Sequence, residues 1–430
     1  MADPHRPAAL PLSVAILFAV LLAACAQPPR IPSPFESLPE GTLRPPAPPR
    51  EPVSGPSFLI LPDSELVFSP ALADFSVDRT VPAESPLRAW SEPQTPGGDA
   101  EFVSALDALE KVSRDYSVSP RLLLALLEYH AGAVSESDRV TSLDRIFFPD
   151  SSAGASFTRQ LSWAANELNR GYYSRLVGGL ARITLVDGTQ VELSPRVNPA
   201  TAALHYLLGL LYGYHEWELA VSPLGLYASY LPLFGDPHVR AIEPLVPDDL
   251  AQPQMRLPFD PAEGWFFTAG PHSAWGNGAA WAALDFAPDE GAFGCYDSQA
   301  WVLAAADGWV ARSEDGIVVQ VLDGDREEAG GWSLLYLHIA TDGRAPAGTY
   351  LRAGEPVGRP SCEGGPSSGT HLHIARRYNG EWIPADQDIP FLLDGWASSG
   401  DGVEYNGFLT RGERVIKALG YPADENRIIP

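Results

Sequence analysis

Gly369-Thr370-His371-Leu372-His373-Ile374 is the stretch on which the reading of this chain turns. On a β-strand alternate side chains share a face, so His371 and His373 point together while Leu372 and Ile374 turn toward a core. The Gly- and Ser-rich run 364–369 before it is the text of a loop that delivers a strand into a site. Working outward, the chain offers Tyr336-Leu337-His338, then Leu284-Asp285-Phe286-Ala287-Pro288, then Gly270-Pro271-His272, so that four of its nine histidines fall between 270 and 373. A hydrolytic zinc site takes three protein ligands from His and Asp or Glu and leaves a fourth position open. Asp285 shares a strand face with Ala283 and can be the oxygen ligand; His272 and one of the two strand histidines would complete the set. Each residue alone has a plainer reading: a polar pair at a sheet edge, a core His338, a turn Asp285, a loop His272. Their joint order and spacing favour the metal.

These residues resemble the lysostaphin-type (LytM-like, M23) zinc metallopeptidases, which cut peptide bonds in bacterial cell-wall peptidoglycan. In the commoner branch of that family the first His stands four residues before the Asp, a place held here by Trp281. The β-lytic, staphylolysin-like branch puts it much earlier, and His272 lies thirteen residues ahead of Asp285. The resemblance spans roughly residues 258 to 390. It implies that His272, Asp285 and His373 bind Zn2+, that His371 is general base toward the zinc-bound water, and that His338 steadies the oxyanion. The function it implies is a zinc-dependent endopeptidase cleaving peptide cross-links of peptidoglycan. The alternative, prompted by Trp281, is a non-catalytic wall-binding lipoprotein that recruits or activates a cell-wall hydrolase.

A chain of 430 residues is long enough for two or three domains. Its net charge of -25 and pI near 4.6 argue against a nucleic-acid partner, which would need a basic face. Residues 1–25 read as a lipoprotein signal peptide: Arg6 in a basic start, an apolar run from Leu12 to Leu22, and Leu22-Ala23-Ala24-Cys25 resembling a lipobox whose Cys25 carries the lipid. A plain secretory peptide or a retained anchor are the alternatives. Residues 26–57 are a Pro-rich tether. The expected location is extracytoplasmic, lipid-anchored to the membrane through Cys25. In an exported chain the remaining pair, Cys295 and Cys362, is expected to form a disulfide stapling the loops around the site.

Residues 58–98 read as an irregular lead-in, with Phe58–Leu61 and Glu65–Phe68 as short strands. Residues 99–252 read as a helical domain. Apolar positions at Phe102, Ala105, Leu106, Leu109, Val112 and Tyr116 predict one helix; Ser119-Pro120 opens a second; others are expected over 156–177 and 199–216, with a hairpin at 183–193. This region faintly resembles the lysozyme-like fold of lytic transglycosylases in Tyr116–Glu128 and Asn198–Ala202. The family's catalytic Glu is replaced by His130, and Glu128 and Glu167 are read as solvated helix-face residues. His205, His215 and His238 have no partners at metal spacing. Residues 253–430 are the metallopeptidase domain with a C-terminal extension, built from strands at 301–310, 316–321 and 332–338, a short strand at 353–358, and the His-x-His strand. Trp275, Trp281 and Tyr336 are candidates for its groove or its core. The fold class is thus multidomain: an α-helical, lysozyme-like domain followed by an antiparallel β-sheet metallopeptidase domain. Residues 391–430 carry no functional signal.

Overall fold

The computed structural model describes residues 52–93, 102–135, 143–147, 156–324 and 326–428. The signal segment, Cys25 and most of the tether lie outside them. Ser104 opens the first long helix by accepting the Asp107 amide at 3.1 Å, and Ala105–Tyr116 runs until Ser117 turns left-handed at φ 54°. Helix Pro120–Ala131 starts on a proline and stops at left-handed Gly132; the Ser119 hydroxyl before it is buried and makes no cap bond. Ser156 caps Phe157–Leu176, and Asn198 caps Pro199–Leu211 by accepting the Thr201 amide. The expected helix 199–216 breaks at Tyr212–Gly213, where Gly213 begins a separate helix, Tyr214–Ala220. The Asp187 carboxylate accepts the Tyr214 amide there and so ties the break to the hairpin turn.

The lead-in departs from expectation. Phe58–Leu61 and Glu65–Phe68 are not strands: Pro62 withholds a ladder donor, Asp63–Glu65 forms a 3-10 turn, and Ile60, Leu61, Leu66 and Val67 are all fully buried. The folded body also begins before residue 57. Val53–Ser54 lies parallel to Gln190–Glu192 and adds a third strand to the hairpin with Arg182–Thr184.

The second half is a large antiparallel sheet. Its order runs Tyr350–Leu351, Gly308–Glu314, Ile317–Val321, Trp332–Leu337, Leu372–Tyr378, Ala283–Pro288, Trp265–His272, Arg427–Ile428. The expected strand 301–310 is two pieces, since Val302–Leu303 leaves to pair with Pro356–Gly358. A four-stranded meander, Leu392–Leu393 to Arg414–Lys417, occupies the region that carried no sequence signal. Alternation assigns the two faces of the sheet to two cores. Val318, Leu334, Tyr336, Leu372 and Ile374 face one; Ile317, Val319, Leu335, Leu337 and Ala375 join the core of the helical region. The helical and sheet regions therefore share a core inside one compact unit. Among the described residues no helix is long and apolar enough to cross a membrane.

Three carboxylates meet at the seam between these regions. Asp63 accepts the Ala200 amide at 2.8 Å, Glu243 accepts the Ser64 amide at 3.0 Å, and Glu381 accepts the Tyr172 hydroxyl at 2.6 Å. Burial, then the neighbouring charges, pushes Asp63 and Glu381 up to about 7. A folded-state pKa above the unfolded one means the folded chain holds extra protons. These groups favour folding at low pH, and that contribution is lost as pH rises from about 4 through about 7. Glu381→Gln, which keeps an acceptor for Tyr172, should raise the thermal midpoint at pH 8 and leave it unchanged at pH 4.5. Parallel melting curves of wild type and variant across that range would refute the assignment.

Candidate metal centre

The Leu372–Tyr378 strand pairs His373 opposite Asp285 on Ala283–Pro288, and that strand pairs Ala283 opposite His272. Regular register sets His373 against Asp285, and a pairing with two register shifts brings in His272, 101 residues from His373. His272 Nε2, Asp285 Oδ1 and His373 Nδ1 form a triangle with sides of 3.0, 3.2 and 3.2 Å. Tetrahedral zinc with ligand bonds near 2.1 Å sets its donors roughly 3.3 Å apart, so the donor set has the right size. Asp285 Oδ1 is buried and has no hydrogen-bond donor of its own, an arrangement that a cation would satisfy.

The other ring nitrogens fix which atoms are free to bind. His272 Nδ1 donates to the Gly270 carbonyl at 2.8 Å, and His373 Nε2 donates to the Ala274 carbonyl at 3.1 Å. A carbonyl only accepts, so the lone pairs are left on His272 Nε2 and His373 Nδ1, the two atoms of the triangle. Burial opposes charge on His272, but the Asp285 carboxylate beside it wins and raises its pKa. Asp285 lies well below the usual carboxylate range: burial works against its charge, and His272 and His371 overcome it.

His371 and His338 stand next to the triangle as a pair, ring centroids 4.4 Å apart. His371 Nδ1 donates to the Gly369 carbonyl at 2.9 Å, and its Nε2 lies 3.6 Å from Asp285 Oδ2. His338 ends its strand in a left-handed conformation, φ 66°, and Nδ1 donates to the Glu363 carbonyl at 2.7 Å. Burial, then His371 and His373, pushes its pKa down to about 3. Neutral His338 thus presents a bare Nε2, an acceptor. The oxyanion role suggested by the sequence requires it to gain a second proton first. Cys295 and Cys362 are joined in a disulfide with Cα atoms 5.8 Å apart, and Thr370 donates its amide to Gly294, so the loops beside His371 are tied together.

All five residues singled out from the sequence are brought together. The site lies on the sheet face that the helical region covers, because His373 shares that face with Ala375. Of the other readings, those of Glu167 and Glu128 change, and the rest are decided between alternatives already open. Trp275 and Tyr336 are core residues, Trp275 edge-on to Tyr116 and Tyr336 bonded to Gln320, while Trp281 is half-buried. Glu167 is buried rather than solvated, holding Asn166, Arg170 and Tyr206, and Glu128 accepts the amides of Val134 and Ser135. His205 is fully buried against Trp217, whereas His215 and His238 are exposed. Sequence reasoning missed Tyr405, whose ring stacks on His272 at 4.8 Å, and Glu404 beside it.

Residues 59–246 match the family model of the LasA N-terminal domain. Over 305 residues the chain is 28% identical to Protease LasA of Pseudomonas aeruginosa strain UCBPP-PA14, and over 303 residues 29% identical to the same protein of strain PAO1. The chain is thus similar to Protease LasA. The match covers 64% of this chain and 66% of the length of each LasA. Among solved structures the chain aligns with pseudoalterin, described as a novel M23 metalloprotease from the deep sea, at 24% identity and TM-score 0.33, over 39% of this chain and 96% of the other. It also aligns with the catalytic domain of lysostaphin from Staphylococcus simulans at 19% identity and TM-score 0.20, over 28% of this chain and 87% of the other.

Proposed function

We propose that the chain is a zinc-dependent endopeptidase cleaving the peptide cross-links of bacterial peptidoglycan. The triangle of His272 Nε2, Asp285 Oδ1 and His373 Nδ1, with both histidine tautomers fixed by backbone carbonyls, carries this reading. Those three residues would hold the metal, and zinc bound there would supply Lewis acidity toward a water and the scissile carbonyl. His371, its Nδ1 proton committed to Gly369, offers Nε2 as general base. His338, committed to Glu363 in the same way, has its ring centroid 4.4 Å from that of His371 and would donate Nε2–H to the developing oxyanion only once it has gained a second proton. The likeness to Protease LasA supports a protease.

The test is digestion of purified peptidoglycan by the full chain, with products read by mass spectrometry. Release of new peptide amines, blocked by a chelator and restored by zinc, is expected; intact cross-links under both conditions would end the proposal. We also propose that the chain is held outside the cytoplasm by lipid on Cys25, supported by Leu22-Ala23-Ala24-Cys25. Cys25→Ser should move it from the membrane fraction to the soluble one, and an unchanged distribution would refute the anchor.

A further inference from the structure

His272 stands thirteen residues before Asp285, and the ladder between their strands shifts register twice on the way, between Phe267 and Ala269 and between Ala269 and His272. Regular pairing therefore does not place His272 as it places His373. The fixing comes from the loop 404–407. The Gly270 amide donates to the Tyr405 carbonyl at 2.8 Å, the Tyr405 amide donates to the Pro271 carbonyl at 3.1 Å, and the Ser273 amide donates to Glu404 Oε1 at 3.0 Å. These three bonds grip the backbone on both sides of His272. Two glycines let the segments approach so closely. A Cβ on Gly270 would lie 2.4 Å from the Asn406 carbonyl oxygen, and one on Gly407 would lie 2.6 Å from Pro271 Cδ. Neither glycine is left-handed, so closeness and not backbone freedom excludes a side chain. Tyr405 itself is held left-handed at φ 71°, a conformation that a bulky residue keeps only where its surroundings impose it.

We propose that the loop 404–407 is the positioning element for His272: it sets where the first ligand of the metal triangle stands, with Glu404 and Gly407 as positioning residues. The inference rests on the zinc reading above. It gives the C-terminal meander, whose strands end and begin at this loop, a part in building the site.

The test uses the full chain and two readouts, zinc affinity by competition with a chromophoric chelator and thermal unfolding of the zinc-free protein. Glu404→Ala and Gly407→Ala should each weaken zinc binding by about 10-fold or more, in line with loss of a ligand's outer support. Zinc-free unfolding of Glu404→Ala should stay unchanged, and Glu404→Gln, which keeps the acceptor for Ser273, should bind zinc as wild type does. Wild-type affinity in both alanine variants would overturn the inference, as would a loss of affinity in Glu404→Ala accompanied by an equal loss of zinc-free stability. If Gly407→Ala fails to fold, the Glu404 pair alone decides. Wild type that binds no zinc overturns the metal reading itself, an outcome distinct from the others.

Discussion

His373→Ala is expected to abolish stoichiometric zinc and, with it, chelator-sensitive wall digestion. His373 supplies one corner of the triangle, and its other nitrogen is tied to Ala274, which fixes the ring in that corner. Loss of outer-sphere support alone costs about 10- to 100-fold in metal affinity, so loss of a ligand should exceed about 100-fold. Elemental analysis after exhaustive dialysis reads the result directly: about one zinc per wild-type chain and none in the variant. His215→Ala, at an exposed site on Tyr214–Ala220, is the control that should keep its zinc. Equal zinc in all three proteins would place the metal elsewhere.

Arg312→Met should give the largest loss of stability. Arg312 lies on Gly308–Glu314, is 7% exposed, and bonds both Asp115 of the helix Ala105–Tyr116 and Glu328 of the sheet region. Arg377, 2% exposed, shares Glu328 at 2.6 Å. Burial works against the Glu328 charge, yet the two guanidinium groups hold its pKa down at about 2. Removing Arg312 leaves Glu328 with Arg377 alone and Asp115 with Lys111 alone. Breaking such a buried network costs about 3–5 kcal/mol, which a shift of the urea midpoint at unchanged slope would report. Arg182→Met removes an ion pair with Glu192 whose side chains are 51% and 55% exposed, and should cost less than about 1 kcal/mol. Equal midpoints for the two variants would contradict this account.

The parts of the site legible in the sequence are those governed by strand parity. His371 and His373 share a face because they are two apart, and Asp285 shares one with Ala283 for the same reason. Hairpin and helix starts were legible at Asp187-Gly188 and Asn198, where local hydrogen bonding decides the outcome. Parity could not foresee that both sheet faces are covered. Tyr336 therefore reads equally well as groove or core until the second core is seen. Glu167 was misread because a helix period shows which face is polar without showing that another region docks on it; Asn166 and Arg170 beside it grip Asn277, 111 and 107 residues away. Glu404 and Tyr405 act through backbone amides and ring stacking across more than 130 residues, and no spacing rule records such contacts.

The Cys295–Cys362 disulfide bears on when the site can exist as well as on where it stands. It joins the loop that meets Thr370 to the loop whose Glu363 carbonyl holds His338. In a reducing cytosol the two thiols would stay apart, and both loops beside the histidine pair would be untied. For a chain exported as proposed, the loops beside the histidine pair would therefore be tied only after it has left the cytosol.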